Sequence, residues 1–140
     1  SELSEIFNDS GVYCNFNRFG IPRKFKFDFY KAVTGLELTR EEWYKSKALR
    51  ILQLQRAMLL LGGPDLKWDP KIHDENPSRF YEPLPSGPYK GKTADGDKVE
   101  EDKRWYYEAA GWDENGIPQS EILKELGLQN VDTVLQKLRR

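Results

Sequence analysis

Apolar residues recur at near-helical spacing through Tyr44, Ala48, Ile51, Leu52 and Leu59, the pattern of one helix face turned toward a core. Thr39-Arg40-Glu41-Glu42 opens the run as a capping box, the Thr oxygen accepting the Glu42 N–H while the Glu42 carboxylate reaches back. Gly62-Gly63-Pro64 closes it, because Gly tolerates the left-handed cap and Pro cannot continue the ladder. The pattern predicts a helix over about 40–61.

Lys24-Phe25-Lys26-Phe27-Asp28-Phe29 alternates with period two, which locally favours a strand. Phe25, Phe29 and Val33 equally fit a helix closing at Gly35, so pattern alone leaves both readings open. Residues 62–96 hold six Pro and five Gly and predict a long irregular segment, of the kind that packs on something or serves a function. A helix follows over about Lys98 to Ala110, stopped at Gly111. Asp113-Glu114-Asn115-Gly116 is a turn by composition. Gln119 to Leu126 predicts a short helix ended by Gly127, and Asn130 is the expected N-cap of a last helix carrying Val131, Val134, Leu135 and Leu138. The fold class is mostly α, an irregular helical domain with a long Pro/Gly-rich loop, with residues 1–140 as one domain.

Composition narrows the function. The 140 residues are 38% apolar and 32% charged, lean for a free-standing globule, but 18 aromatics offset few aliphatics because each buries roughly 150–250 Å². No apolar run approaches the roughly 18–20 residues a bilayer span needs. Ser1 to Ser10 has three acids, no Lys or Arg and no apolar stretch, so no signal peptide is expected. The single cysteine, Cys14, excludes an internal disulfide framework or an all-Cys metal site within the chain. A net charge of −1 argues against a generic polyanion binder, yet residues 15–56 carry ten Lys/Arg against four acids. That segment suits an acidic partner, an anionic cofactor or nucleic acid.

Several motifs dissolve on inspection. Ser86-Gly87-Pro88-Tyr89-Lys90-Gly91-Lys92-Thr93 resembles a phosphate-cradling loop, but Ser86 replaces the first Gly and Pro88 removes an N–H the cradle needs. Asp95-Gly96-Asp97 fails as a calcium loop, with Glu100 and Tyr106 at the positions that require Gly and Glu. Acids at a helix start explain it better. His73, the sole histidine, has no partner for a metal pair and reads as an exposed loop residue without a role. Arg23-Lys24-Phe25-Lys26-Phe27 interleaves cations and aromatics as a single-strand binder does, and equally as a half-buried element does. Cys14 has no companion thiolates, so a cluster role requires ligands outside these residues.

Trp105-Tyr106-Tyr107-Glu108-Ala109-Ala110-Gly111-Trp112-Asp113-Glu114-Asn115-Gly116-Ile117-Pro118, followed by Leu123-Lys124-Glu125-Leu126-Gly127-Leu128, resembles the C-terminal signature of the tungsten-dependent aldehyde ferredoxin oxidoreductases. Thr34-Gly35 to Glu41-Glu42, the arginines Arg50 and Arg56, Asn76-Pro77-Ser78-Arg79-Phe80, Glu82-Pro83-Leu84 and Gly87-Pro88-Tyr89-Lys90-Gly91 resemble further motifs of that family, in its order. The resemblance implies a C-terminal domain of a larger cytoplasmic enzyme. Such enzymes oxidise aldehydes to carboxylic acids at a tungsten held by two pterins, and pass electrons through a [4Fe–4S] cluster to ferredoxin. It further implies that Asp9 and Cys14 stand at the Asp and Cys of an Asp-x-x-Gly-Leu-Cys motif, Asp9 contacting a pterin and Cys14 being the cluster's fourth ligand.

Val12 and Tyr13 replace the motif's Gly and Leu. A β-branched Val resists positive φ, so a turn of altered shape is expected against the pterin. The implied partners are the enzyme's upstream domains, ferredoxin and a small aldehyde, with no membrane and no nucleic acid. No catalytic acid or base is expected in these residues, and alone they should retain no cofactor and be inactive. The family's helical C-terminal domains favour helix over residues 24–34. Two other readings compete: a non-enzymatic helical module docking an acidic partner or nucleic acid through residues 15–56, and a domain that kept the fold without the cofactor.

Overall fold

Helix α4, Ala48–Leu61, is the spine on which the other elements pack. The computed structural model describes residues 2–14, 22, 24–62 and 67–139, and among them every regular element is helical. In chain order the α-helices are α1 (Glu2–Ser10), α2 (Lys24–Thr34), α3 (Arg40–Glu42), α4, α5 (Pro70–His73), α6 (Gly96–Ala110), α7 (Ser120–Glu125) and α8 (Gln129–Leu135), with a π turn at Trp43–Lys47 and a 3-10 turn at Ser78–Tyr81. An isolated bridge joins Trp112 to Pro118. No helix among the described residues is long and apolar enough to cross a membrane. Arg23 and the Gly63-Pro64 stop lie outside the described residues.

The expected helix over 40–61 is present with one interruption. Thr39 caps it, with its hydroxyl 3.1 Å from the Glu42 N–H and its own N–H donating to the Glu42 carboxylate at 2.8 Å. Trp43–Lys47 then forms a π turn before α4 begins. The wider turn aims two successive side chains at α1: Trp43 donates its indole N–H to the Leu3 carbonyl at 3.0 Å, and the Tyr44 hydroxyl meets Ser4 Oγ at 3.1 Å. A regular α-turn would separate neighbouring side chains by about 100° around the axis.

Residues 24–34 are helical, so the period-two strand reading is overturned. The inward face also differs from the series Phe25, Phe29, Val33, which is exposed at 39%, 53% and 86%. Phe27 turns inward instead, its ring stacked 4.8 Å from Phe7 of α1, and Tyr30 packs against the same cluster.

One end of α4 contributes Ala48 and Leu52 to a core with Ile6, Phe7, Trp43, Tyr107, Ala110 and Trp112. The other contributes Ala57 and Leu60 to a second core with Ile117, Leu123, Leu128 and Leu135. Between them lies Gln53, fully buried. Its amide N–H donates to the Ala110 carbonyl at 2.7 Å, and its carbonyl accepts the Trp112 indole N–H at 2.8 Å. Gln53→Leu keeps the volume but strands both groups, and should cost about 2–3 kcal/mol in urea unfolding. A loss below about 0.5 kcal/mol would show the two groups finding other partners.

α6 starts on Asp95, whose carboxylate accepts from the Asp97 and Lys98 N–H groups, and ends at Gly111 with φ 73°. The Asp113 turn forms as read, its carboxylate accepting from the Asn115 and Ile117 N–H groups at 2.9 Å each. The last helix begins at Gln129 rather than behind an Asn130 cap and ends at Leu135. Its start is set by the bond from the Leu128 N–H to the Leu123 carbonyl at 2.7 Å, which turns the chain directly out of α7.

Candidate functional site

Asp9 and Cys14 flank the C-terminus of α1. The Tyr13 N–H reaches back to the Asn8 carbonyl at 2.7 Å and the Val12 N–H to the Asp9 carbonyl at 3.2 Å, the paired bonds of a Schellman cap. In such a cap the residue at Val12 must be left-handed, and Val12 has φ 56°. The expectation that Val12 resists positive φ is therefore corrected: its backbone lies in the left-handed region. The packing enforces it. Tyr13 stacks on Phe7 with ring centroids 5.8 Å apart, the apolar contact that accompanies this cap, and donates its hydroxyl to the Lys26 carbonyl of α2 at 3.3 Å.

Left-handed backbone costs a non-glycine residue about 1–2 kcal/mol, while Val12 is 92% exposed and contributes little burial. Val12→Gly should therefore stabilise the protein by about 0.5–1 kcal/mol, part of the gain being lost to unfolded-chain entropy. A thermal melt that moves downward would show that the Val12 side chain makes a contact worth more than the strain.

Asp9 and Cys14 are both exposed, and Cys14 is a free thiol. Asn8, beside Asp9, is buried instead, donating to Glu5 at 3.0 Å and accepting from the Lys26 ammonium. Asp9 sits in the last turn of α1, at the negative end of the helix dipole, where a carboxylate is locally unfavourable. Among the described residues no three His, Cys, Asp or Glu side chains come together as a metal-binding group. Asp9 and Cys14 thus expose one carboxylate and one thiol at the same helix end.

A second cluster lies where no motif predicts chemistry. Arg56 of α4 and Asp74 form a bidentate pair, with Nη1 2.9 Å from Oδ1 and Nη2 on Oδ2. Asp74 also accepts the Trp68 indole N–H at 2.7 Å and the Tyr107 hydroxyl. Arg56 donates its Nε–H to the Gly116 carbonyl at 2.8 Å and lies 4.4 Å from the centroid of Trp112. Burial pushes the Asp74 carboxyl up, but the bonds from Arg56, Tyr107 and Trp68 outweigh it and hold the group below the usual carboxylate range. Burial, and then the bond to Asp74, push the Tyr107 phenol up to about 12.

This network floors a cleft of about 1120 Å³ walled by Leu52, Met58, Leu59, Trp68 and Tyr106. Arg56 stands one helical turn from both Leu52 and Leu60. A cation on that face requires a buried anion, a signal that would have pointed to the cluster. His73 is half-buried rather than exposed: its Nδ1 accepts the Asp69 N–H at 2.8 Å and its ring lies 4.9 Å from Trp68.

Comparison with known proteins places this geometry in context. Residues 2–128 match the family model for "Aldehyde ferredoxin oxidoreductase, domains 2 & 3". The chain is 45% identical over 140 residues to a Pyrococcus furiosus protein named "Aliphatic sulfonate oxidoreductase, WOR-like subunit", covering 99% of this chain and 22% of that protein. It is 33% identical over 129 residues to proteins of Pyrococcus horikoshii and Pyrococcus abyssi, each named "Tungsten-containing aldehyde ferredoxin oxidoreductase", covering 91% of this chain and 20% of each. The chain spans about a fifth of the length of these curated relatives. With nearly its whole length matched, the chain belongs to the aldehyde ferredoxin oxidoreductase family, within the region that forms that family's domains 2 and 3.

Proposed function

We propose that the chain serves as the C-terminal portion of a cytoplasmic tungstopterin oxidoreductase, in which Cys14 ligates a [4Fe–4S] cluster and Asp9 meets a pterin edge. The observation that carries this reading is the left-handed Val12, which keeps the turn between Asp9 and Cys14 in the form that a glycine would give. The exposed thiol, and a carboxylate placed where it does not help the helix, support it further. In the bound state the pterin–tungsten unit supplies aldehyde oxidation and the cluster supplies one-electron transfer toward ferredoxin. This chain's part is positional. Cys14 presents a thiolate, and Asp9 is shaped to accept two N–H bonds in one plane. Phe7 and Tyr13 hold the turn against α2.

The competing polyanion reading of residues 15–56 has less support, because the described cations there are largely engaged. Lys31 pairs with Glu37 and Lys45 with Glu41, Arg56 pairs with Asp74, and Arg50 donates to the Leu126 carbonyl. The higher identity to the sulfonate-named relative than to the aldehyde-named ones favours a second substrate reading, an aliphatic sulfonate.

Elemental analysis of the protein from the complete reading frame tests the proposal. About four irons and one tungsten per chain are expected. Absence of both metals would sink it in favour of a fold without its chemistry. Dye reduction with aldehydes against aliphatic sulfonates would then separate the two substrate readings.

A further inference from the structure

Residues 75–93 form an arm that is exposed at every position, yet its backbone is fixed. The Ala94 N–H donates to the Phe80 carbonyl at 2.9 Å, the Leu84 N–H to the Lys92 carbonyl at 3.0 Å, and the Gly91 N–H to the Leu84 carbonyl at 2.9 Å. Gly87 and Gly91 take φ 84° and 82° with open space around them, so the turn is set by backbone conformation and not by packing. Ordering a loop loses chain entropy that burial normally offsets, and this arm fully buries none of its own apolar groups. It displays them instead: Phe80 is 56% exposed, Leu84 44% and Tyr89 62%. A preordered arm with apolar groups outward is organised for docking, since little further ordering is needed on contact.

We propose that this arm is a clasp seating Phe80, Leu84 and Tyr89 in an apolar, acid-rimmed groove on the part of the family fold that lies outside these 140 residues. Two observations choose that occupant. The curated relatives are roughly five times longer than the stretch they share with this chain, and the family match at residues 2–128 includes the arm. Charge fixes the groove's rim. Lys90 and Lys92 are the only ionic residues between positions 83 and 94, whereas Arg79 is already paired with Glu82 at 2.9 Å. The inference rests on the chain working within a longer family protein, and not on the role of Cys14.

Hydroxyl-radical footprinting of the protein from the complete reading frame tests it, with the same protein in urea as the unfolded reference. Phe80 and Tyr89 should react about tenfold more slowly in the native protein, as residues in a packed interface do. Reaction near the unfolded rate would overturn the clasp. Protection that disappears on dilution would also overturn it, because the occupant would then be a second copy. Loss of metal from a Cys14 variant should leave the footprint unchanged, so failure of the cluster reading and failure of the clasp are separable.

Discussion

Asp74→Ala is expected to lower folding stability by about 3–5 kcal/mol, the loss typical when one member of a buried ion pair is removed. The side chain of Arg56 is only 6% exposed and its guanidinium lies 4.4 Å from the Trp112 ring centroid, so it stays away from water when its partner is removed. The Trp68 indole and the Tyr107 hydroxyl lose their acceptor in the same step. Urea unfolding measures the effect, and a loss under about 1 kcal/mol would mean that water or another acceptor replaces the carboxylate.

The pair also dictates a pH signature. The folded Asp74 carboxyl lies below its ordinary value, and the unfolded one titrates near about 3.9. The stability it contributes is thus complete above the unfolded value and is lost as pH falls through the depressed folded one. At the alkaline end the sign reverses. The Tyr107 phenol, raised to about 12, contributes stability that is full below the unfolded value of about 10 and disappears as pH rises through the folded one. Asp74→Ala should remove its own acidic limb and only weaken the alkaline one, whose first cause at Tyr107 is burial.

Local signals were legible where local forces decide. The Thr39 capping box, the Asp113 turn and the Gly111 stop each follow from groups a few residues apart, and the structure has all three. The π turn at Trp43–Lys47 was not readable, because its Trp43 and Tyr44 bond to α1 some 40 positions away. The face of α2 was misjudged for a related reason. Its apolar residues surround the helix, and the choice of Phe27 over Phe25 and Phe29 is made by Phe7. Arg56 on a core-facing position signalled a buried anion, but Asp74 was not legible as that anion, since Arg56 and Tyr107 stand 18 residues before it and 33 after it in sequence. Asp9 and Cys14, by contrast, are proposed from motif resemblance. Their physical logic is the helix cap, which the substitution of Val12 for Gly had concealed.

Cys14→Ser should abolish stable iron binding in the protein from the complete reading frame while leaving the fold intact. Cys14 is the only cysteine in the chain, so no second thiolate here can replace it, and a serine hydroxyl is a much weaker ligand than a thiolate for an iron–sulfur centre. Iron should drop from about four per chain, or become labile to a chelator. Folding should be nearly unaffected, within about 0.5 kcal/mol, because the residue is exposed and lies outside both cores. That contrast makes the result specific to ligation. Val12→Gly provides the complementary arm: it relaxes the cap without touching the thiol, so it should retain iron and melt slightly higher. Full, chelator-resistant iron in Cys14→Ser would remove Cys14 from the cluster, and the Asp9–Cys14 turn would then be a helix cap and nothing more.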